Sequence, residues 1–283
     1  MPLNPEAVGL ETEATTVGWT SADALLYAVG IGAGADPDTD ELAYTTENSD
    51  GVAQQVFPTF TVVAAWGNRS IMGKVGTFDT SKLVHGAQAV TLHQPLPVEG
   101  TVSVRSKLLA MHDKGTAAVV VTEMVATDLT GAPLFTNVTS SFIRGAGGWG
   151  GERGTSGPRH LPPTRPPDQR VTYATRPEQA LIYRLSGDRN PLHSDPAFAV
   201  RAGFERPILH GLCTHGFTGR ALLHSRCAGD AARFQHMEGR FTAPVFPGEE
   251  LTISIWDIDD GEAVFTTSVG ERVVMDQGYL RYA

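Results

Sequence analysis

Hydrophobic and polar positions alternate most cleanly in two blocks of the chain. In the first, Thr101 to Leu109, Thr116 to Thr127 and Leu134 to Ile143 read as strands, separated by the turn residues of HDKG and DLTGAP. In the second, Leu251 to Ile258, Ala263 to Val269 and Arg272 to Met275 repeat the pattern around DDGE. Each block predicts a three-strand meander. Helical spacing precedes the second block in Phe204 to Leu223, where Leu209, Leu212, Cys213, Phe217 and Ala221 fall on one buried face. The matching place in the first half is Thr59 to Ala65, which starts as a buried helix until Gly67 and Asn68 interrupt it.

The two blocks look like one unit duplicated. LLYAVGIG from Leu25 parallels LIYRLSGD from Leu181, and QPLPVEGTVSV from Gln94 parallels APVFPGEELTISI from Ala243. Between them GPRHLPPTRPPDQ, Gly157 to Gln169, holds five prolines and almost no apolar periodicity, so it reads as an extended linker. This divides the chain into 1–156, a linker over 157–169, and 170–283.

Chemistry concentrates in YRLSGDRNPLHSDP, Tyr183 to Pro196. Gly187 and Pro191 deny it a regular helix, so Asp188, Asn190 and His193 share a tight loop. A carboxylate and an imidazole that converge on one water can exchange its protons, because burial and neighbours readily move both pKa values toward neutrality. Asn190 does not titrate and would orient water or a side chain. The plainer reading of the same residues is a pair of Asx turns beside a packing histidine. Gly211 lies near the start of the predicted buried helix, where unpaired N–H groups and the helix dipole can stabilise a developing oxyanion. His210, next to it, reads as a capping or packing histidine.

These residues resemble the MaoC-like R-specific enoyl-CoA hydratases, also called hydratase 2. YRLSGDRNPLH carries that signature without a break, and the likeness continues through PILHGLCTHGF and RFTAPVFPGE. LLYAVGIGA, LVHGAQ, HQPLP, HDKG and GAGGWGGERG are similar to the hydratase portion of peroxisomal multifunctional enzyme type 2, so essentially the whole chain is covered. The resemblance implies an α+β double hotdog fold, two tandem units each wrapping a sheet around a helix. It implies Asp188 and His193 as the acid/base pair, supported by Asn190, with Gly211 facing the thioester oxygen. Ligand contacts would come from His85, Gly86, Lys114, Arg189, Pro191, Leu192 and Phe241. One departure is Ala87, where eukaryotic members commonly carry Glu in HGEQ. The implied reaction is reversible syn hydration of a trans-2-enoyl-CoA to a (3R)-3-hydroxyacyl-CoA. Other readings of the same site are a thioesterase, a dehydratase working on acyl carrier protein, and a non-catalytic acyl-CoA binder. Aligning Tyr27 with Tyr183 sets Gly32 opposite Asp188 and Pro37 opposite His193. Only the second copy holds the pair, leaving the first to bind the acyl chain.

Composition narrows the field further. The 283 residues carry a net charge of -9, against a nucleic-acid binder, which needs a basic face for phosphates. Lys74, Lys107, Lys114, Arg201 and Arg206 are the basic candidates for a CoA phosphate patch, Lys114 having the resemblance behind it. Two cysteines, Cys213 and Cys227, cannot build a disulfide framework, and zinc-ligand spacing is missing. No apolar stretch approaches the ~20 residues that span a bilayer. The expectation is a soluble, cytoplasmic enzyme needing no cofactor or metal, acting on acyl-CoA and assembling as a homodimer. Trp149, in its glycine-rich loop, is expected to plug a gap between the halves.

Overall fold

A computed structural model describes residues 3–36, 41–65, 70–155 and 159–283. The strands are β1 (Thr15–Trp19), β2 (Leu83–Leu92), β3 (Gly100–Asp113), β4 (Ala117–Thr127), β5 (Pro133–Arg144), β6 (Gln169–Ala174), β7 (Phe234–Phe241), β8 (Glu250–Asp259), β9 (Glu262–Val269) and β10 (Arg272–Tyr282). The helices are α1 (Ser21–Gly30), α2 (Leu42–Thr45), α3 (Thr61–Ala64), α4 (Gln179–Tyr183), α5 (Pro196–Arg201) and α6 (Gly211–Arg226).

Both predicted meanders are present, as β3–β4–β5 and β8–β9–β10, and two further strands extend each. All described strands join one antiparallel sheet in the order β1-β3-β4-β5-β2-β7-β10-β9-β8-β6. Under the sequence repeat, β1 to β5 correspond to β6 to β10, and the second half of that order is the first half reversed. The halves meet where β2 pairs with β7, from Ala87 opposite Arg240 to Thr91 opposite His236. This continuous sheet with helices on its inner face is the double hotdog expected.

The central helix is α6. Every residue from Leu212 to Leu223 is buried, so the helix has no solvent face and the sheet wraps it. Its close neighbours require small residues: a Cβ on Gly216 would stand 2.4 Å from Ile31, and one on Gly219 would stand 2.4 Å from Thr59. Its counterpart α3 is a single turn after the 3-10 turn Pro58–Phe60. Gly67 and Asn68, read as the interruption of that helix, lie outside the described residues, as do Pro37 and the first two linker residues. Opposite Asp188 in the repeat, Gly32 meets the Phe217 ring, with room for no side chain: a Cβ there would stand 2.4 Å from the ring.

One apolar core spans both halves, with Trp19, Tyr27, Phe57 and Phe60 from the first and Tyr183, Phe217, Phe234 and Phe265 from the second. A smaller core of Leu3, Ile71, Val75, Leu108, Val120 and Ile143 lies wholly in the first half, and Trp149 packs against it. The loop tryptophan therefore fills a gap inside the first half, not between the halves. An ion cluster interrupts the main core: Arg220 Nε and Nη2 donate to the Glu41 carboxylate at 2.5 and 2.8 Å, and His224 Nε2 lies 2.9 Å from it. Linker residues 159–168 form no helix or strand and are pinned to β8, since Trp256 Nε1 donates to the Arg165 carbonyl at 2.9 Å.

Candidate active site

The loop after α4 holds the expected acid and base. Gly187, at φ 130°, turns the chain out of helical conformation in a region that side chains rarely adopt. The Asp188 carboxyl then accepts from Asn190 N–H at 3.1 Å, and Asn190 Oδ1 caps the 3-10 turn Pro191–His193 by accepting from Leu192 N–H at 3.0 Å. Asn190 thus fixes the loop that carries the pair, while its own residue is exposed. Arg189 and Pro191 are exposed beside it, and Leu192 is buried beneath. His193 is buried and donates from Nδ1 to the Ile208 carbonyl at 2.8 Å, which leaves the lone pair of the neutral ring on Nε2. Burial holds its pKa below the ordinary histidine value, with Ile208 and Asp188 pulling partly the other way.

His210, read from sequence as a capping or packing histidine, makes no cap bond to the helix it precedes and joins the site instead. Its ring stacks on His193 with centroids 3.7 Å apart and planes 26° from parallel. Its Nε2 donates to the Asp188 backbone carbonyl at 3.2 Å, so Nδ1 carries the lone pair. That nitrogen is buried without a partner. Burial, and then the neighbouring His193, push its pKa down to about 2, so the ring is neutral. Ligand atoms of Asp188, His193 and His210 all lie within 4.8 Å of one another. The two stacked rings thus carry their lone pairs on His193 Nε2 and His210 Nδ1.

Gly211 opens α6, and no side chain caps that helix end, so its first amide hydrogens remain for a ligand. The Phe241 ring, at the end of β7, stands 3.4 Å from where a Gly211 Cβ would be. Phe241 in turn meets His85 edge to face at 5.1 Å. His85 and Gly86 sit at a bulge in β2, where the pairing with β5 shifts between His85 and Ala87. His85 Nε2 lies 3.1 Å from Gln88 Oε1. Behind His85, both nitrogens of the fully buried His215 lack partners, and burial followed by His85 lowers its pKa to about 3.

Two cavities meet at this bulge, both lined by His85, Gln88 and Ser141. The outer one is a cleft of about 1250 Å³ bordered by Gly86, Lys114, Arg159, Arg240 and Phe241. Asp188, His193 and Gly211 do not line it; Phe241 is the wall between the cleft and the helix end. The inner cavity, about 170 Å³, lies against Val62, Ala65, Met72, Met124 and Leu212. Of the expected ligand contacts, His85, Gly86, Lys114 and Phe241 gather at the cleft, and Asp188, His193 and Gly211 at the loop and helix end. Lys74, Lys107, Arg201 and Arg206 are not in the cleft; Lys107 pairs with Glu11 at 3.1 Å and Arg206 lies over the Phe246 ring. Arg159 and Arg240 take that place, with Arg240 held in two bonds to Asp276 at 2.9 and 2.8 Å. Lys114 donates to the Arg153 carbonyl, and Asp113 beside it accepts from Gly148 and Gly150 N–H, which help hold its pKa to about 2 against the opposing effect of burial.

Residues 18–145 match the MFE-2 hydratase 2 N-terminal domain, and residues 160–277 match the MaoC like domain. Across the whole chain and 99% of the relative, 46% of positions are identical to 3-hydroxyacyl-thioester dehydratase Y of Mycobacterium tuberculosis. The chain belongs to the MaoC-like hydratase 2 family. Another M. tuberculosis relative, enoyl-CoA hydratase ChsH3, is 41% identical over 90% of each chain. Among solved structures, the MaoC-like dehydratase from Phytophthora capsici superposes with a TM-score of 0.89 at 33% identity, covering 99% of this chain and 98% of that one. The two matches together span both halves of the chain, and the MaoC like match includes the loop and helix start described above. Among the described residues, no helix is long and apolar enough to cross a membrane.

Proposed function

We propose that the chain hydrates trans-2-enoyl thioesters of CoA, reversibly, to (3R)-3-hydroxyacyl-CoA. The observation that carries this reading is the convergence of Asp188 and His193 within 4.8 Å beside the uncapped start of α6. A thioester conjugated to a double bond is electrophilic at C3. The water oxygen bonds to C3 as the acid/base pair takes one of its protons, and the π electrons move onto the thioester oxygen. The Gly211 N–H faces that oxygen. As the carbonyl reforms, a proton passes from the pair to C2, so H and OH are added overall and the pair is restored. His193 enters the cycle neutral, with Nε2 open, because burial favours the uncharged ring and Nδ1 is spent on Ile208. Asp188 and His193 act as one coupled unit.

In this reading the CoA portion occupies the outer cleft, where Lys114, Arg159 and Arg240 supply positive charge. The thioester passes His85 and Phe241 to Gly211, and the acyl chain enters the inner cavity below α3. The first half thereby gains a role of its own, since the copy that lacks the acid and base encloses the tail. A cytoplasmic location fits two unpaired cysteines, and a homodimer rests on the family likeness alone. Loss of enoyl absorbance with crotonyl-CoA and a longer homologue, followed by chiral analysis of the product, tests the assignment. Release of free thiol without loss of the double bond would favour a thioesterase instead. Light scattering of the purified protein tests the dimer.

A further inference from the structure

We infer that the segment joining the two halves is a working wall of the outer cleft, holding the Arg159 guanidinium in place for a phosphate on the carrier of the acyl thioester; this rests on the acyl-CoA reading above. An extended, proline-rich connector has no reason of its own to keep one backbone position over a cleft. This one is fastened at two successive residues, and Arg159, Gln277 and Glu238 all line the cleft. Arg159 N–H donates to Gln277 Oε1 at 3.0 Å. The His160 ring stacks on Tyr279, with centroids 4.5 Å apart and planes 20° from parallel, and its Nε2 lies 2.8 Å from Glu238 Oε1. His160 and Gln277 both take left-handed backbone, at φ 48° and 51°, which side-chain-bearing residues hold only where their surroundings over-determine it. Among the described residues, Ala228 is the one other non-glycine residue with positive φ. Gln277 lies in a bulge of β10, where the pairing with β7 shifts between Asp276 and Tyr279.

The fastening sets which part of a ligand Arg159 meets. Phe241, at one end of β7, stands against Gly211, whose N–H faces the thioester oxygen. Glu238, the partner of His160, is three residues back along the same strand, about 10 Å away at ~3.3 Å per residue. The linker is thus docked away from the reacting carbon, where the carrier lies. Of the other cations at the cleft, Arg240 has its charge offset by Asp276, and Lys114 donates to the Arg153 carbonyl. The cleft carboxylate Glu238 is taken by His160. Arg159 is exposed, and among the described residues no carboxylate pairs with it, so its charge and its planar fork of N–H donors are available to an anion.

The test compares crotonyl thioesters of CoA, of phosphopantetheine and of pantetheine, which share the reacting group and differ in the phosphates they carry. In Arg159→Gln the ratio of kcat/KM for crotonyl-CoA to that for crotonyl-pantetheine is expected to fall about 10-fold, through KM, as the loss of one charge-assisted bond implies. Arg159→Lys should restore part of it. A loss on crotonyl-CoA alone assigns Arg159 to the nucleotide phosphates; a loss shared with the phosphopantetheine thioester assigns it to the phosphate that acyl carrier protein also presents. Gln277→Gly, which accepts left-handed backbone, should reproduce the fall in smaller measure. An unchanged ratio in Arg159→Gln would overturn the inference, Arg159 then being plain surface charge. Equal losses on all three thioesters would overturn it too, the effect then lying in the fold. If the unaltered enzyme hydrates none of them, the reaction assignment fails; calorimetry with butyryl-CoA and butyryl-pantetheine still decides the inference, Arg159→Gln being expected to weaken binding of the first alone.

Discussion

The imidazoles of His193 and His210 lie face to face at 3.7 Å, and each spends one nitrogen on a backbone carbonyl, Ile208 for the first and Asp188 for the second. The stack therefore ties base and acid together: His210 touches the ring of one and the main chain of the other. His210→Phe keeps a flat ring in the stack and deletes the donor to Asp188. The expected result is a fall in kcat of about 10²-fold with KM little changed, the size of loss that a small misplacement of reacting groups produces. Steady-state kinetics on crotonyl-CoA would read this, and an unaltered kcat would limit His210 to packing.

Asp188→Asn and His193→Gln remove the titrating groups while keeping their shapes. Each should fold normally and lose roughly 10²–10⁴-fold in turnover with a smaller change in substrate binding. Circular dichroism and single-turnover kinetics together check this. Wild-type-like rates in either would remove that residue from the acid/base pair.

Gly211→Ala separates stability from chemistry. The new methyl would meet Phe241 at 3.4 Å, an ordinary contact, and alanine is no worse than glycine in a helix. Thermal melts should show no destabilisation. Hydration should nonetheless drop about tenfold or more, a loss of ~1.4 kcal/mol in transition-state binding, because the methyl occupies the approach to the helix amide. A variant as active as the parent would move the oxyanion contact elsewhere.

Acid should unfold the protein early. His210 and His215 are buried neutral, with pKa values lowered by burial from 6.5 to about 2 and about 3. Glu41 is lowered from 4.5 to about 2, because bonds from His224 and Arg220 outweigh the opposing effect of burial. In all three the unfolded chain binds more protons than the folded one, so stability rises with pH. The histidine part is complete above pH 6.5 and drains as pH falls toward 3 and 2, at up to ~1.4 kcal/mol per pH unit for each ring; the Glu41 part begins to drain below 4.5. Urea midpoints should hold from pH 7.5 to about 6.5 and decline steadily from there to pH 4, and a flat profile would contradict neutral burial of the two histidines.

Much of this was readable in the chain, for reasons particular residues make plain. The meander strands alternate because one face meets the core, and the loop of Asp188 and His193 is short enough that spacing alone brings the two together. Other features leave weaker traces. β6 is a sheet edge with exposed or half-buried residues throughout, and β2 is bulged at His85, so neither alternates well. His210 reads from sequence as a capping or packing histidine because its neighbours come from the chain folding back over Phe204 to Leu209, and ring stacking has no signature in spacing. Arg159 and Arg240 reach the cleft from the linker and from β7, a juxtaposition only the sheet order creates.

That order reads alike from either edge of the sheet, with the β2–β7 seam at its centre. Two separate chains with this architecture would have to find one another and would carry identical sites by necessity. Covalent fusion removes both constraints: partnership is guaranteed at any concentration, and the copies are free to diverge. Gly32 pressed against Phe217 is what divergence left in one of them, and a severed half would present the bare backbone of β2 or β7 as a sticky edge to whatever strand came next.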